Sequence, residues 1–411
     1  MENFLMGWAE AATISVGFFW MALWAFALGY LISSVIQLVV TREQMQRTMQ
    51  NDSARSISLG AFFGFISSSC SFAALAATRT LFAKGAGFVS AMAFLLASTN
   101  LVIELGFVIA IFLGWQFVVA EYVGGILLIL LVWLLVSVYR PNALLQRVRD
   151  KLNQQQQAGG EHRMTFRHLL THKQGWNALA KKYVMEWQMI WRDVLIGFTV
   201  AGLIAAFVPT QFFETLFIGA GTQEPAFYEV LLQSLVGPLA AFFTFIGSMG
   251  NIPLAAVLFD NGVSFAGVMA FIFSDLVVWP VLRINARYYG WKMALYILGL
   301  LLLSLVTSAV LLHYGLSFFD VIPQASGGKS IADRDLFALD TGFVLNLIFI
   351  ALSAVLLFFW YRQQHQQTEN ESHSHQHSNA SSVSLKQRLS QGLTALCIIW
   401  LVSGLGIQLL Y

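Results

Sequence analysis

The feature that most constrains this chain is a run of about 20 apolar residues that recurs along most of its length. A run that long crosses about 30 Å of hydrocarbon as an α-helix. Inside a bilayer the backbone has no water to bond, so only helices and closed barrels can span it. Repeated helical runs therefore predict an all-α polytopic membrane protein. Composition agrees: of 411 residues, 57% are hydrophobic and 11% charged, where a soluble domain carries about 25% charged residues. A net charge of +2 points to no polyanionic partner, and no nucleic-acid motif is present. Cys70 and Cys397 both stand in apolar segments and give no disulfide framework. The start, MENFLMGWAEAA, lacks a basic n-region, so no cleavable signal peptide is expected.

Hydropathy predicts about eight full spans, at 14–40, 87–113, 115–139, 188–209, 264–282, 293–315, 341–361 and 390–410. Two further apolar segments, 57–83 and 226–260, are interrupted by SSSCS and GSMGNIP. Basic residues orient the spans, because cytoplasmic loops collect Lys and Arg. The polar stretch 140–187 holds nine: Arg140, Arg147, Arg149, Lys151, Arg163, Arg167, Lys173, Lys181 and Lys182. Three smaller clusters are Arg42/Arg47/Arg55, Arg283/Arg287/Lys292 and Arg362/Lys386/Arg388. Residues 1–13, the turn at Gly114 and the stretch 210–227 hold none. With both interrupted segments as full spans, no orientation gathers the four clusters on one side. With both as re-entrant hairpins, all four are cytoplasmic, the first hairpin entering from the cytoplasm and the second from outside.

The two halves also match. LFAKGAGFVSAMAF (81–94) aligns without gaps to LFDNGVSFAGVMAF (258–271), with seven identities in 14 positions, among them Gly85/Gly262. Opposed copies with interrupted helices at their axis are a recurring transporter design. The expected organisation is a first membrane repeat over 1–139, a basic cytoplasmic linker over 140–187 and a second, inverted repeat over 188–315. An external loop over 316–340 follows. Residues 341–411 then supply two added spans joined by a His-rich cytoplasmic loop.

Irregular backbone at membrane depth survives where it lines a cavity or is buried in protein. Ser67–Ser71 and Gly247–Pro253 would be the two hairpin tips. Arms of about 13 residues reach about 20 Å at 1.5 Å per residue, so opposed tips meet near the midplane. The substrate-binding candidates are Ser68, Ser69, Cys70 and Ser71 on one tip and Ser248 and Asn251 on the other. Ser98, Thr99 and Asn100 of ASTNLVIELG join them. A thiol can hold a soft metal or trivalent arsenic, although a buried Cys is equally a small apolar filler.

Glu104 shares a helix face with Asn100, four residues away. Asp275 is the counterpart of Ser98 at the repeat offset of 177. Intramembrane carboxylates are expensive and often serve as proton relays, so Glu104 and Asp275 are the coupling candidates. Their bland reading is an interhelical hydrogen bond, or an ion pair with Arg79. Glu121, Arg192 and Asp193 stand nearer span ends, where snorkelling or capping accounts for them. His373, His375 and His377 alternate in ESHSHQHSN and are candidate Zn²⁺ or Cu²⁺ ligands, or idle low-complexity sequence. GGKS (327–330) ends like a Walker A loop, but Pro323 stands where the first glycine belongs. No ATP hydrolysis by this chain and no cofactor is expected, a separate ATPase subunit staying open, and no intramembrane-protease motif is present.

The stretches SSSCSFAALAATRTLFAKGAGFVSAMAFLLASTNLVIELG (67–106) and GSMGNIPLAAVLFDNGVSFAGVMAFIFSDLVVWPVL (247–282) resemble a bacterial family of predicted permeases. Some members of that family are exporters of trivalent organoarsenicals, and a related branch is associated with copper and zinc efflux. Many members look to have Cys-Ser-Cys in the first motif; here the residues are Cys70-Ser71-Phe72, so one thiol is replaced. The resemblance implies a multi-pass permease of the bacterial inner membrane that exports a toxic metal, metalloid or organometalloid ion on a proton or ion gradient. The alternatives are a permease for a small organic or sulfur-containing solute and a membrane scaffold or sensor that uses the His tail. The expected partners are lipid and a small inorganic or organometalloid substrate. Self-association as a homo-oligomer stays open.

Overall fold

A computed structural model describes residues 2–39, 52–67, 71–83, 85–139, 141–153, 173–222, 225–244, 248–323, 336–339, 341–371 and 385–410. Every regular element among them is helical. The chain divides into two units. One comprises Met1–Val40, His162–Ala206 and Asp335–Tyr411; the other comprises Thr41–Glu161 and Phe207–Arg334.

The second unit carries the polar segments. Its first half runs α2 (Ala54–Ser67), α3 (Ser71–Ala83), α4 (Phe88–Asn100), α5 (Ile103–Phe112) and α6 (Trp115–Val138), with α7 (Asn142–Asn153) after it. In the first unit lie α1 (Glu2–Val39) and α8 (Lys173–Phe207). The short α9 (Thr210–Leu216) leads back into the second unit. There follow α10 (Phe227–Thr244), α11 (Ser248–Asp260), α12 (Phe265–Ile272) with a 3₁₀ turn at Phe273–Leu276, α13 (Trp279–Tyr289) and α14 (Trp291–Phe318). The order α2 to α6 is thus repeated by α10 to α14.

Local geometry repeats as well. Gly85 N–H bonds Phe82 O at 3.2 Å and Ala86 N–H bonds Leu81 O at 3.0 Å. Gly262 N–H bonds Phe259 O at 3.0 Å and Val263 N–H bonds Leu258 O at 3.1 Å. Both are the paired bonds of a Schellman motif, which needs a left-handed residue that glycine supplies without strain; φ is 101° and 83°. Close helix crossings repeat too: a Cβ on Gly64 of α2 would strike the Phe94 carbonyl of α4, and one on Gly237 of α10 the Gly267 carbonyl of α12.

The segment expected as one span over 87–113 is broken. α4 and α5 are bent by 41° at Leu101–Val102. No Pro or Gly marks the site; hydroxyls occupy the last carbonyls of α4 instead. Ser98 donates to Leu95 O at 2.9 Å, and Thr99 to Leu95 O at 3.1 Å and Leu96 O at 3.2 Å. Such back-bonding competes with the helix ladder. The matching break is at Val277–Val278, where Ser274 donates to Phe271 O. Gly85 and Gly262 are 177 positions apart, but Val102 and Val278 only 176. The 3₁₀ turn absorbs the missing residue, since it takes 3.0 residues per turn instead of 3.6. Asp275 consequently falls opposite Thr99, one position from the Ser98 counterpart expected at constant offset.

The corresponding helices α6 and α14 pack antiparallel. Tyr296, early in α14, donates to Tyr139 O just past the end of α6 at 3.1 Å. Ser308, further along α14, donates to Gly124 O at 3.4 Å, nearer the start of α6. Trp115 and Trp291 open these two helices and are both exposed, where aromatic anchors sit at membrane interfaces.

In the first unit α1 packs against α15 (Thr341–Glu371) and α16 (Leu385–Leu410). The buried Asn346 amide grips α1 one turn apart, accepting from Trp24 N–H at 2.9 Å and donating to Trp20 O at 2.7 Å. Trp8 donates to Trp400 O at 3.0 Å, and Tyr30 of α1 meets Trp187 of α8 edge-on at 5.1 Å.

Five described helices or helix runs are each long and apolar enough to cross a membrane, six with the bent pair α4–α5 counted as one. They include α12, the 3₁₀ turn and α13 taken together. The segments expected at 188–209 and 390–410 have shorter described apolar parts, Val194–Phe207 and Gly392–Ile407.

Candidate functional site

The two breaks and the two interrupted helix pairs, α2–α3 and α10–α11, come together inside the second unit. α3 packs on α4 but also on α13 of the other half; α11 packs on α12 but also on α5 of the first half. α3 and α11 therefore each lie against both broken helix runs, α4–α5 and α12–α13.

The first contact this creates is between Ser71 and Asp275. Ser71 is the first residue of α3, and its Oγ donates to Asp275 Oδ2 at 2.9 Å. Both are buried, Asp275 at 2% exposure. A helix start carries positive partial charge, so α3 offers Asp275 a hydroxyl and a favourable dipole end together.

The helices of the second unit carry more buried polar groups. Asn100 ends α4 and is buried; its Nδ2 has no hydrogen-bond partner among the described residues. It packs on Gly125 of α6, where a Cβ would come 3.6 Å from Asn100 Cβ. Glu104 is buried in the first turn of α5, where the helix dipole favours a carboxylate. Asn251, on α11, is 0% exposed, and neither of its amide atoms has a partner among the described residues. Ser98 and Thr99 are buried with their hydroxyls engaged by their own helix. Arg79, the expected ion-pair partner, lies over the Tyr288 ring at 4.6 Å.

Ser248 is the first residue of α11. Ser68, Ser69, Cys70, His373, His375 and His377 lie outside the described residues. Among the described residues no group of three or more His, Cys, Asp or Glu is placed to hold a metal ion.

Sequence reasoning placed Glu121 near a span end and left it to snorkelling; the structure corrects this. Glu121 is fully buried, with neither oxygen hydrogen-bonded among the described residues. Gly124, three residues past it, packs on Phe273 of the 3₁₀ turn that carries Asp275, and the neighbouring Tyr122 donates to Val102 O at the α4–α5 break at 3.2 Å. The signal available in the sequence was the Gly124-Gly125 pair one turn on. Those glycines let α6 close against Leu101, Phe273 and Leu312, which shuts Glu121 away from any interface.

Helices long and apolar enough to span, two of them broken and carrying buried acids, amides and hydroxyls, define a multi-pass membrane protein of the transporter class. The family described as "Predicted permease" (ArsP_1) matches residues 7–314. The chain belongs to this predicted permease family. It is 36% identical over 328 residues to "Putative permease Rv2963" of Mycobacterium tuberculosis, an alignment covering 77% of this chain and 79% of that protein. No solved structure matches the chain.

Proposed function

We propose that this permease sits in the bacterial inner membrane and exports a toxic metal, metalloid or organometalloid ion, driven by a proton or ion gradient. The observation that carries the reading is the Ser71–Asp275 hydrogen bond, which ties a hairpin arm of one half to the broken span of the other. Substrate would meet the tip residues Ser68, Ser69, Cys70 and Ser71, the opposing Ser248 and Asn251, and Ser98, Thr99 and Asn100 at the break. Asp275 and Glu104 would carry the coupling proton. Eight full spans and two re-entrant hairpins in inverted repeats are the topology that goes with this reading. The repeated turns at Gly85 and Gly262 and the antiparallel α6 and α14 support it.

Phe72, where the first motif of the family this chain resembles looks to have a second cysteine, favours one further reading: a substrate held by a single thiol or by none, such as a small organic or sulfur-containing solute.

The test is a deletion strain grown on copper, zinc, arsenite and methylarsenite, with the wild-type gene restored as control. Sensitivity to one of these names the substrate class. Unaltered growth on all four rejects metal and metalloid export.

A further inference from the structure

Among the described residues Glu121 is the carboxylate that the fold encloses most completely: 0% exposed, against 2% for Asp275 and 4% for Glu104. Its two oxygens offer about four acceptor positions, and none is used among the described residues. An ionised carboxylate left so would cost far more than the surrounding packing returns. No Lys or Arg side chain is buried among the described residues to offset it.

A second observation points to the same place. Asn100 packs on Gly125, one helical turn from Glu121, and its buried Nδ2 has no partner there. A donor and a carboxyl, both unspent, border one region of α6.

The ionisable groups facing this region are few. Asp275 comes from the 3₁₀ turn and Glu104 from α5, while α4 contributes none. Tyr122 neighbours Glu121 on α6. From α14 comes His313, one residue past the Leu312 that packs on Gly124. The exposed Tyr314 follows it, and Lys292 and Tyr296 belong to the other end of that helix. Phe273, two residues before Asp275 in the 3₁₀ turn, packs on Gly124, three residues past Glu121, so the turn that carries Asp275 lies against the Glu121 stretch of α6.

We propose that Glu121 and Asp275 act as one proton-carrying pair, with Glu121 holding the proton while Ser71 donates to Asp275. Resting on the gradient-driven reading above, this adds a second coupling carboxylate to it. The Ser71 hydroxyl is a donor, so it favours the charged form of Asp275; the single negative charge of the pair then sits there. When the Ser71 bond opens, Asp275 loses that donor. Asp275 then takes up the coupling proton from the gradient, while Glu121, which has no partner for a charge among the described residues, keeps its own.

The test is infrared difference spectroscopy on the full chain in lipid nanodiscs during a pH change, which needs no substrate. Wild-type protein is expected to show a protonated side-chain carboxyl band at neutral pH. Glu121→Gln should abolish it, and Asp275→Asn should shift it without abolishing it. Glu121→Gln replaces a neutral acid by its near-isostere, and its elution profile checks folding. Should that variant misfold, the shift in Asp275→Asn alone decides. A band that persists in Glu121→Gln, no band in wild type, or a band indifferent to Asp275→Asn overturns the proposal. Because transport is not measured, a negative growth panel defeats the export reading and leaves this result standing.

Discussion

The Ser71 hydroxyl donates to Asp275 Oδ2 across 2.9 Å, joining residues 204 positions apart. It fastens the start of α3 to a 3₁₀ turn that belongs to the other half of the repeat. Neither residue would be expensive to replace by an apolar one if packing were the only concern. Held together in the buried interior, they fix the start of α3 against one carboxyl group.

Removing the donor should therefore loosen that arm. Ser71→Ala is expected to cost about 0.6–2 kcal/mol, the range of interhelical hydrogen bonds in membrane proteins. Ser71→Thr, which keeps the hydroxyl, should retain most of it. Thermal unfolding in detergent measures both. Equal stability of wild type and Ser71→Ala would make the bond incidental.

Asp275→Asn keeps an acceptor for Ser71 but removes the titratable charge. The protein should reach the membrane in normal amount and lose proton-coupled transport. Substrate-driven proton flux in proteoliposomes is the readout. A normal flux of protons and substrate would make Asp275 structural and pass the coupling role to Glu104 or Glu121.

The two repeat turns separate backbone strain from crowding. Gly85 and Gly262 share a left-handed φ, yet a Cβ at Gly85 meets nothing within 4 Å, while one at Gly262 lies 2.5 Å from Gly221 N. Gly221 N–H also bonds Gly262 O at 2.8 Å. Gly85→Ala should cost about 1–2 kcal/mol of left-handed strain. Gly262→Ala should cost more, since backbone must move as well. Chemical or thermal unfolding of the two variants side by side decides it, and an equal loss in both would remove crowding as the cause.

What the sequence made legible follows the physics that a sequence records. Hydropathy records length in hydrocarbon, so the long apolar helices such as α6, α14 and α15 were readable. Gly85 and Gly262 record a turn that other residues resist, so the repeat could be aligned from them. The break at Leu101–Val102 was not readable, because Ser98 and Thr99 weaken the helix through hydroxyl bonds that leave no Pro or Gly behind. The Ser71–Asp275 pairing was not readable either, since periodicity says which face is polar and not which helix it meets. Glu121 was misjudged because closeness to a span end suggests exposure; the adjacent glycines draw other helices over it.

The His tail carries a pH prediction whose sign is fixed by ligand chemistry. Imidazole binds metal only when neutral. A peptide covering 365–380, with His373, His375 and His377, should bind Zn²⁺ at neutral pH and release it as the rings protonate below about pH 6.5. Calorimetry at two pH values tests this. Undetectable binding at neutral pH would leave the segment a linker.

The inverted arrangement makes the most decisive prediction. In that reading the turn beside Gly85 returns to the cytoplasm and the turn beside Gly262 returns to the outside. Single cysteines at Lys84 and Asn261, placed in a chain with Cys70 and Cys397 replaced by serine, should label from opposite faces of intact cells. An impermeant maleimide should modify Asn261→Cys at once and Lys84→Cys only after the membrane is opened. The basic clusters require this order, since Arg55 precedes the first hairpin and Arg283 follows the second. Labelling of Lys84→Cys from outside would make 57–83 a full span. α6 and α14 would then still pack antiparallel, but the opposed hairpins, and with them the meeting of two tips at the midplane, would be lost.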